Sequence, residues 1–497
     1  MYISTRGGKG RFTAAEAIKT GLAPDGGLLV PEKLPCLDGG FLTELVELDY
    51  HQRAARILKL FLDDYSAEEI DACLKAAYSA VKFDDKAIAP VVKLVGDISV
   101  LELWHGPTSA FKDMALQLLP QLLSLALKKT GEKAEIVILV ATSGDTGKAA
   151  LEGFSDVAQT KIVVFYPYQG VSAIQELQMV TQEGSNVAVV AVRGNFDDAQ
   201  TGVKNIFNDS DYRADLEANG FKLSSANSIN WGRLLPQIVY YFSSYADLVK
   251  GGHIMAGQKV NFVVPTGNFG NILAGYYAKL MGLPVNKLIC AANNNNVLTD
   301  FLRTGIYNRE RDFYKTLSPS MDILISSNLE RLLYLVSDGD AAKVAGWMRE
   351  LTNRGCYQVD EECLKAIQET FWSDWASDAA TVDAISNVFK EYRYVMDPHT
   401  AVAWRVYENY RQTTGDATPT VVVSTASPFK FSASVLTAIA GPEAAGGKND
   451  FAVLRELSAV TGWQVPLALA GLERKAIRHS LVGNKEEMLE IVKKTLK

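Results

Sequence analysis

The residues best placed to do chemistry in this chain fall in four short loops, the first of which sets a lysine at the start of an expected helix. Residues 101–113 read Leu-Glu-Leu-Trp-His-Gly-Pro-Thr-Ser-Ala-Phe-Lys-Asp. A strand is expected to end near Trp104, with Gly106 and Pro107 turning the chain. A helix is expected to begin near Ser109, which would cap it. Lys112 then stands in the first helical turn, where the helix dipole opposes a positive charge. That field, together with partial burial, lowers an amine pKa. A lysine held neutral can attack an aldehyde. The competing reading is a solvated helix lysine, the ordinary state of that residue.

The second loop, Val140-Ala-Thr-Ser-Gly-Asp-Thr-Gly-Lys-Ala-Ala150, follows a strand and opens a helix. Hydroxyls and glycines at a helix N-terminus make a carboxylate or phosphate cradle. It is not a P-loop, because Gly144 and Gly147 are too close and Ala149 follows Lys148. The third loop, Val264-Pro-Thr-Gly-Asn-Phe-Gly-Asn271, also joins a strand to a helix. Gly267 and Gly270 allow close backbone approach to an anion, and the spacing is not that of a dinucleotide fingerprint. The fourth, Val422-Val-Ser-Thr-Ala-Ser-Pro-Phe-Lys-Phe431, is a strand ending in hydroxyls, which by themselves are usually turn formers. As a set, one helix-start lysine and two anion cradles suit a cofactor phosphate and an anionic substrate, with a hydroxyl available to a ring nitrogen.

The elements that must position these loops follow from hydrophobic patterning. Runs at 136–140, 162–166, 187–192, 260–264, 288–292 and 420–423 are β-branched and continuous, as expected of strands buried on both faces of a parallel sheet. Helical stretches between them predict α/β crossovers. Residues 43–62 and 67–81 have amphipathic helical patterns and belong to a mainly helical cap. Residues 338–395 form an acidic, helix-patterned stretch without strand candidates, expected to be an insertion. The resulting division is a cap over 1–92, a first α/β lobe with the lysine over 93–235, a second lobe over 236–450 and a helical C-terminal segment over 451–497.

Composition removes several functional classes. The net charge is −7 and the basic residues are dispersed, which argues against nucleic-acid and polybasic membrane binding. The 111–127 stretch is short for a bilayer span and holds Lys112, Asp113 and Pro120. No signal-peptide core opens the chain, so a cytoplasmic protein is expected. Five scattered cysteines and five scattered histidines give neither a disulfide framework nor a metal site.

The motif His105-Gly-Pro-Thr-Ser-Ala-Phe-Lys-Asp113 resembles the lysine motif of the threonine synthases, a pyridoxal-phosphate (PLP) family. Thr142-Ser-Gly-Asp-Thr-Gly147 is similar to their substrate-side loop, and Pro265-Thr-Gly-Asn-Phe-Gly-Asn271 to their PLP-phosphate loop. Tyr2-Ile-Ser-Thr-Arg-Gly7, Asp25-Gly-Gly-Leu-Leu-Val-Pro31 and Met321-Asp-Ile-Leu-Ile-Ser-Ser-Asn-Leu-Glu-Arg331 also match in order. The resemblance runs from the first residues to about Phe431. Two departures stand out: Ser427-Pro428 where many members have His-Pro, and Thr266 where many have Ser. The first puts in doubt any role given to that imidazole.

The resemblance implies an α/β, two-lobed fold-type II enzyme with parallel sheets flanked by helices and an N-terminal cap. It implies conversion of O-phospho-L-homoserine and water to L-threonine and phosphate by a monomer or homodimer. Lys112, beside Phe111, would carry PLP and act as the base; Gly267, Asn268, Phe269, Gly270 and Asn271 would hold its phosphate; Thr425 would face its ring nitrogen. Thr142, Ser143, Gly144, Asp145 and Thr146 are the expected substrate loop, while Lys148, Arg233 and Arg331 are candidates for the substrate phosphate. An ionised Asp145 would repel a phenolate, so it is expected to be protonated or turned toward backbone donors. A phospho-lyase and a non-catalytic PLP-binding protein remain alternatives.

Overall fold

The computed structural model describes residues 1–142 and 144–496. The strands along the chain are β1 (Tyr2–Ser4), β2 (Leu29–Pro31), β3 (Val91–Val95), β4 (Ile98–Glu102), β5 (Glu135–Ala141), β6 (Thr160–Pro167), β7 (Val187–Arg193) and β8 (Phe221–Ser224). Then come β9 (Val260–Pro265), β10 (Val285–Ala292), β11 (Ile306–Asn308), β12 (Cys356–Gln358), β13 (Phe371–Trp375), β14 (Thr420–Ser424) and β15 (Leu481–Asn484). Two of their sheets define two lobes. The larger has the order β13-β10-β9-β14-β4-β3 and the smaller β15-β7-β6-β5-β8. Every pairing is parallel except β3 with β4. The six expected strands are all present. Their central residues are buried because helices cover both sheet faces.

Sheet membership cuts across the sequence boundaries. β4, which leads into the lysine loop, pairs with β14, more than 300 residues later. β15 lies in the 451–497 segment expected to be helical, yet it extends the smaller sheet beside β7. The 338–395 stretch is likewise not wholly helical, since it contains β12 and β13. β13 forms an edge of the larger sheet against β10. Its five residues, Phe-Trp-Ser-Asp-Trp, are packed on both faces, Trp372 lying on Tyr410, and the run is too short to stand out from the helical pattern around it.

The cap's expected 43–62 helix is two helices, Gly39–Glu47 and Tyr50–Lys59. Asp49 breaks the run by accepting the Gln52 amide as an N-cap. The helix Trp231–Lys250 is buried along nearly its whole length and lies against both the cap and the helix Gly270–Leu280. A helix apolar on all sides has to sit inside, and this one ties the cap to the two lobes. Among the described residues no helix is long and apolar enough to cross a membrane.

Candidate active site

The lysine loop is built by its own sequence motif. Asp113 accepts the Thr108 amide and hydroxyl, each at 2.8 Å, and clasps the 106–108 turn against the helix Lys112–Leu116. A Cβ on Gly106 would come within 2.6 Å of the Asp113 Cβ, so glycine is required there. His105 bridges Asp84 at 2.7 Å and Glu102 at 3.0 Å. Burial alone would lower its pKa, but these two carboxylates outweigh that and push it up to about 9. Ser109 does not cap the helix. It is buried with φ +56°, its hydroxyl has no partner, and the N-cap position falls to Phe111.

The end of β14 then closes over this loop. The Phe111 amide donates to the Thr425 carbonyl at 2.8 Å, and the Ser427 amide to the Ser109 carbonyl at 3.0 Å. Thr425 is thereby fixed one residue from Lys112 across a backbone pair, and it is buried. Lys112 is largely buried, with its amine above the Phe111 ring at 5.1 Å. Desolvation lowers its pKa; Asp145 opposes that, while Lys430 and Arg233 add to it. Burial and neighbouring positive charge, more than the helix dipole of a five-residue helix, therefore lower the pKa of this amine.

Asp145 is neither protonated nor turned toward backbone donors. Its carboxylate lies 2.7 Å from the Lys430 amine and 3.8 Å from that of Lys112, and it accepts from Gln175 at 3.2 Å. Burial would raise its pKa, yet Lys430 and Lys112 hold it far below the usual carboxylate range. Lys430 also donates to the Thr108 carbonyl at 2.9 Å and has no exposed side-chain surface. A buried lysine answering the Asp145 charge could not be anticipated from local sequence, because the two residues are 285 positions apart.

In the 142–147 loop, the Thr142 hydroxyl accepts the amides of Gly144 at 3.0 Å and Gly147 at 2.9 Å. This uses two donors expected for a ligand and leaves those of Asp145 and Thr146 at the helix start. Ser143, named with them, lies outside the described residues. Lys148 faces away: it pairs with Glu152 at 2.8 Å and with Gln182, in a cavity of about 280 Å³ whose lining does not include Lys112. Arg331 is likewise consumed, donating to the Leu29 and Ile229 carbonyls and to Asn328. Arg233 differs from both. It is buried, makes one hydrogen bond to the Ala226 carbonyl, and its Nε has no partner. Among the described residues no carboxylate pairs with it, and burial lowers its pKa to about 10.

The third loop forms a cradle at the start of the helix Gly270–Leu280. Phe269 takes φ +63° to aim the first helical turn inward. Ser326 donates to the Gly267 carbonyl at 2.9 Å, and Asn328 donates to the Asn268 carbonyl. A Cβ on Gly267 would meet the Ser320 carbonyl at 2.7 Å. The Asn271 side-chain Oδ1 accepts both Tyr240 at 2.6 Å and Tyr241 at 2.8 Å, which fixes the side-chain amide, and its buried Nδ2 has no partner among the described residues. An orphaned donor beside a helix N-terminus is the arrangement an anion completes.

A buried lysine between two lobes, facing such a cradle, defines a pyridoxal-phosphate-dependent enzyme. Comparison with known proteins agrees. Residues 90–370 match the pyridoxal-phosphate dependent enzyme model, residues 1–78 the threonine synthase N terminus and residues 400–494 the threonine synthase C-terminal model. The chain is 43% identical to human threonine synthase-like 1 over 435 residues, 86% of this chain and 58% of that protein. It is 38% identical to Saccharomyces cerevisiae threonine synthase, covering 89% of each chain. The PLP-bound crystal structure of Brucella melitensis threonine synthase superposes with a TM-score of 0.87 at 37% identity, over 99% of this chain and 98% of that one. The chain therefore belongs to the threonine synthase family of pyridoxal-phosphate-dependent enzymes. It spans less than two thirds of the length of the threonine synthase-like 1 relatives.

Proposed function

We propose that this enzyme is a threonine synthase in the strict sense, converting O-phospho-L-homoserine and water to L-threonine and phosphate. The observation that carries this reading is Arg233, a buried guanidinium without a carboxylate partner among the described residues, close enough to Lys112 to affect its charge. A buried cation in that state asks for an anion, and a substrate bearing a phosphate supplies one.

Pyridoxal phosphate supplies the electron sink that makes protons next to the amino-bearing carbon removable. Lys112 would carry the cofactor, and its amine would move protons at the substrate's Cα and Cβ. Asn271 Nδ2, with the amides at the start of the 270–280 helix and the Gly267–Gly270 backbone, would hold the cofactor phosphate. Thr425 would offer its hydroxyl to the ring nitrogen. The amides at the start of the Asp145–Phe154 helix take the substrate carboxylate, while Arg233 binds the leaving phosphate and places Cα and Cβ beside Lys112.

The test is incubation with O-phospho-L-homoserine while phosphate, threonine and 2-oxobutanoate are followed together. Threonine equal to phosphate is expected. Phosphate with 2-oxobutanoate and no threonine would make the protein a phospho-lyase, and no phosphate release by the loaded protein would make it non-catalytic.

A further inference from the structure

A buried hydrogen-bond chain runs from Lys112 through Ser320 to His399. The Lys112 amine donates to the Ser320 hydroxyl at 3.2 Å, that hydroxyl donates to the Asp145 carboxylate at 3.4 Å, and the Ser320 amide donates to His399 Nε2 at 3.2 Å. His399 Nδ1 lies 2.7 Å from the Asp397 carboxylate. That carboxylate also accepts the His399 amide at 2.9 Å, the Thr400 amide at 3.3 Å and the Thr400 hydroxyl. Both Asp397 and His399 are buried, at 0% and 2% exposure. Chemistry assigns the proton. A backbone amide only donates, so Nε2 is the bare acceptor, and Nδ1 carries the ring proton toward Asp397. A second proton on Nε2 would set one N–H against another.

The geometry points to His399 as a positioning residue. In its neutral, Nδ1-protonated form it holds the Pro319–Met321 turn so that Ser320 presents its hydroxyl to Lys112. The charged groups that face the imidazole are Asp397 at the start of its own helix, Asp322 beside the turn and Asp145 across the site; Lys112 and Lys430 stand behind Asp145. The Phe431 ring packs on it at 4.9 Å.

This inference rests on Lys112 being the cofactor lysine and needs no assumption about the substrate. It is tested by the rate at which cofactor-free protein captures PLP, read by absorbance. His399→Gln keeps an acceptor near Nε2. His399→Asn keeps only the Nδ1-side group and leaves the Ser320 amide unpartnered. His399→Asn is expected to capture PLP about five- to tenfold more slowly, the worth of one hydrogen bond, and His399→Gln at nearly the wild-type rate, with unchanged circular dichroism spectra. His399→Asn capturing at the wild-type rate, or His399→Gln capturing as slowly as His399→Asn, overturns the inference. Should His399→Asn misfold, Ser320→Ala leaves the imidazole bond in place and must slow capture too; capture at the wild-type rate again overturns it. Borohydride reduction and peptide mapping of the same samples separate the two readings: a label away from Lys112 removes the site assignment itself, whereas a label on Lys112 with His399→Asn at the wild-type rate removes only the role of His399.

Discussion

Replacing Lys430 by Met keeps the side-chain stem and deletes the charge that answers Asp145. At their separation of 2.7 Å the pair's attraction is about 6 kcal/mol at an effective dielectric constant near 20. Lys112, at 3.8 Å, supplies about 4 kcal/mol by the same measure and remains to compensate in part. Leaving one member of a buried pair uncompensated costs about 3 to 5 kcal/mol, and the remaining lysine places Lys430→Met near the lower end. For a chain of 497 residues the unfolding entropy is about 1 kcal/mol per degree, so the melting temperature should fall by about 3 °C at pH 8. Because Lys430 and Lys112 depress the folded-state pKa of Asp145, its ionic stabilisation is present above the unfolded Asp range and lost on acidification. The gap between wild type and Lys430→Met should therefore narrow as the pH falls and Asp145 in the variant takes up a proton. Calorimetric melts of wild type, Lys430→Met, Asp145→Asn and the double variant across pH check this. Additive losses, or a gap that does not change with pH, would refute the pairing as the source of the stability. Removing the Lys430 charge should also raise the Lys112 pKa and move PLP capture to higher pH.

Arg233→Gln should raise the KM for O-phospho-L-homoserine by about tenfold or more, the worth of a charge-assisted hydrogen bond, with PLP still bound; an unchanged KM would remove Arg233 from the phosphate site. Asn271→Ala deletes the orphaned Nδ2 and should weaken PLP by about tenfold in equilibrium dialysis, while Thr425→Val should weaken it by about fivefold. The raised pKa of His105, about 9, means that its contribution is complete below the unfolded value and is lost as the pH rises toward 9. The loss is about 3 kcal/mol over that window, so thermal stability should decline from about pH 6.5 to 9 in wild type and be flat in His105→Asn.

The local motifs were legible because their chemistry is local. The Gly106 turn, the cradle at Gly267–Asn271 and the parallel strands all follow from residue type and spacing within a dozen positions. Together they were specific enough to indicate the family and its cofactor. What the chain order concealed was everything set by long-range pairing. Sheet membership joined β4 to β14 and β15 to β7, because a strand's partner is chosen by tertiary packing and not by neighbours in sequence. The three candidate cations looked alike as letters. Only the fold gave Lys148 to Glu152 and Arg331 to three backbone and amide oxygens, while leaving Arg233 buried without a carboxylate partner among the described residues, and only the fold brought Lys430 to Asp145. The charged neighbours of Asp145 and the contact of Lys112 with Ser320 were set the same way. Charge states inside a protein depend on which groups lie within a few ångströms, and residues 145, 320, 399 and 430 meet only once both lobes have closed around the lysine.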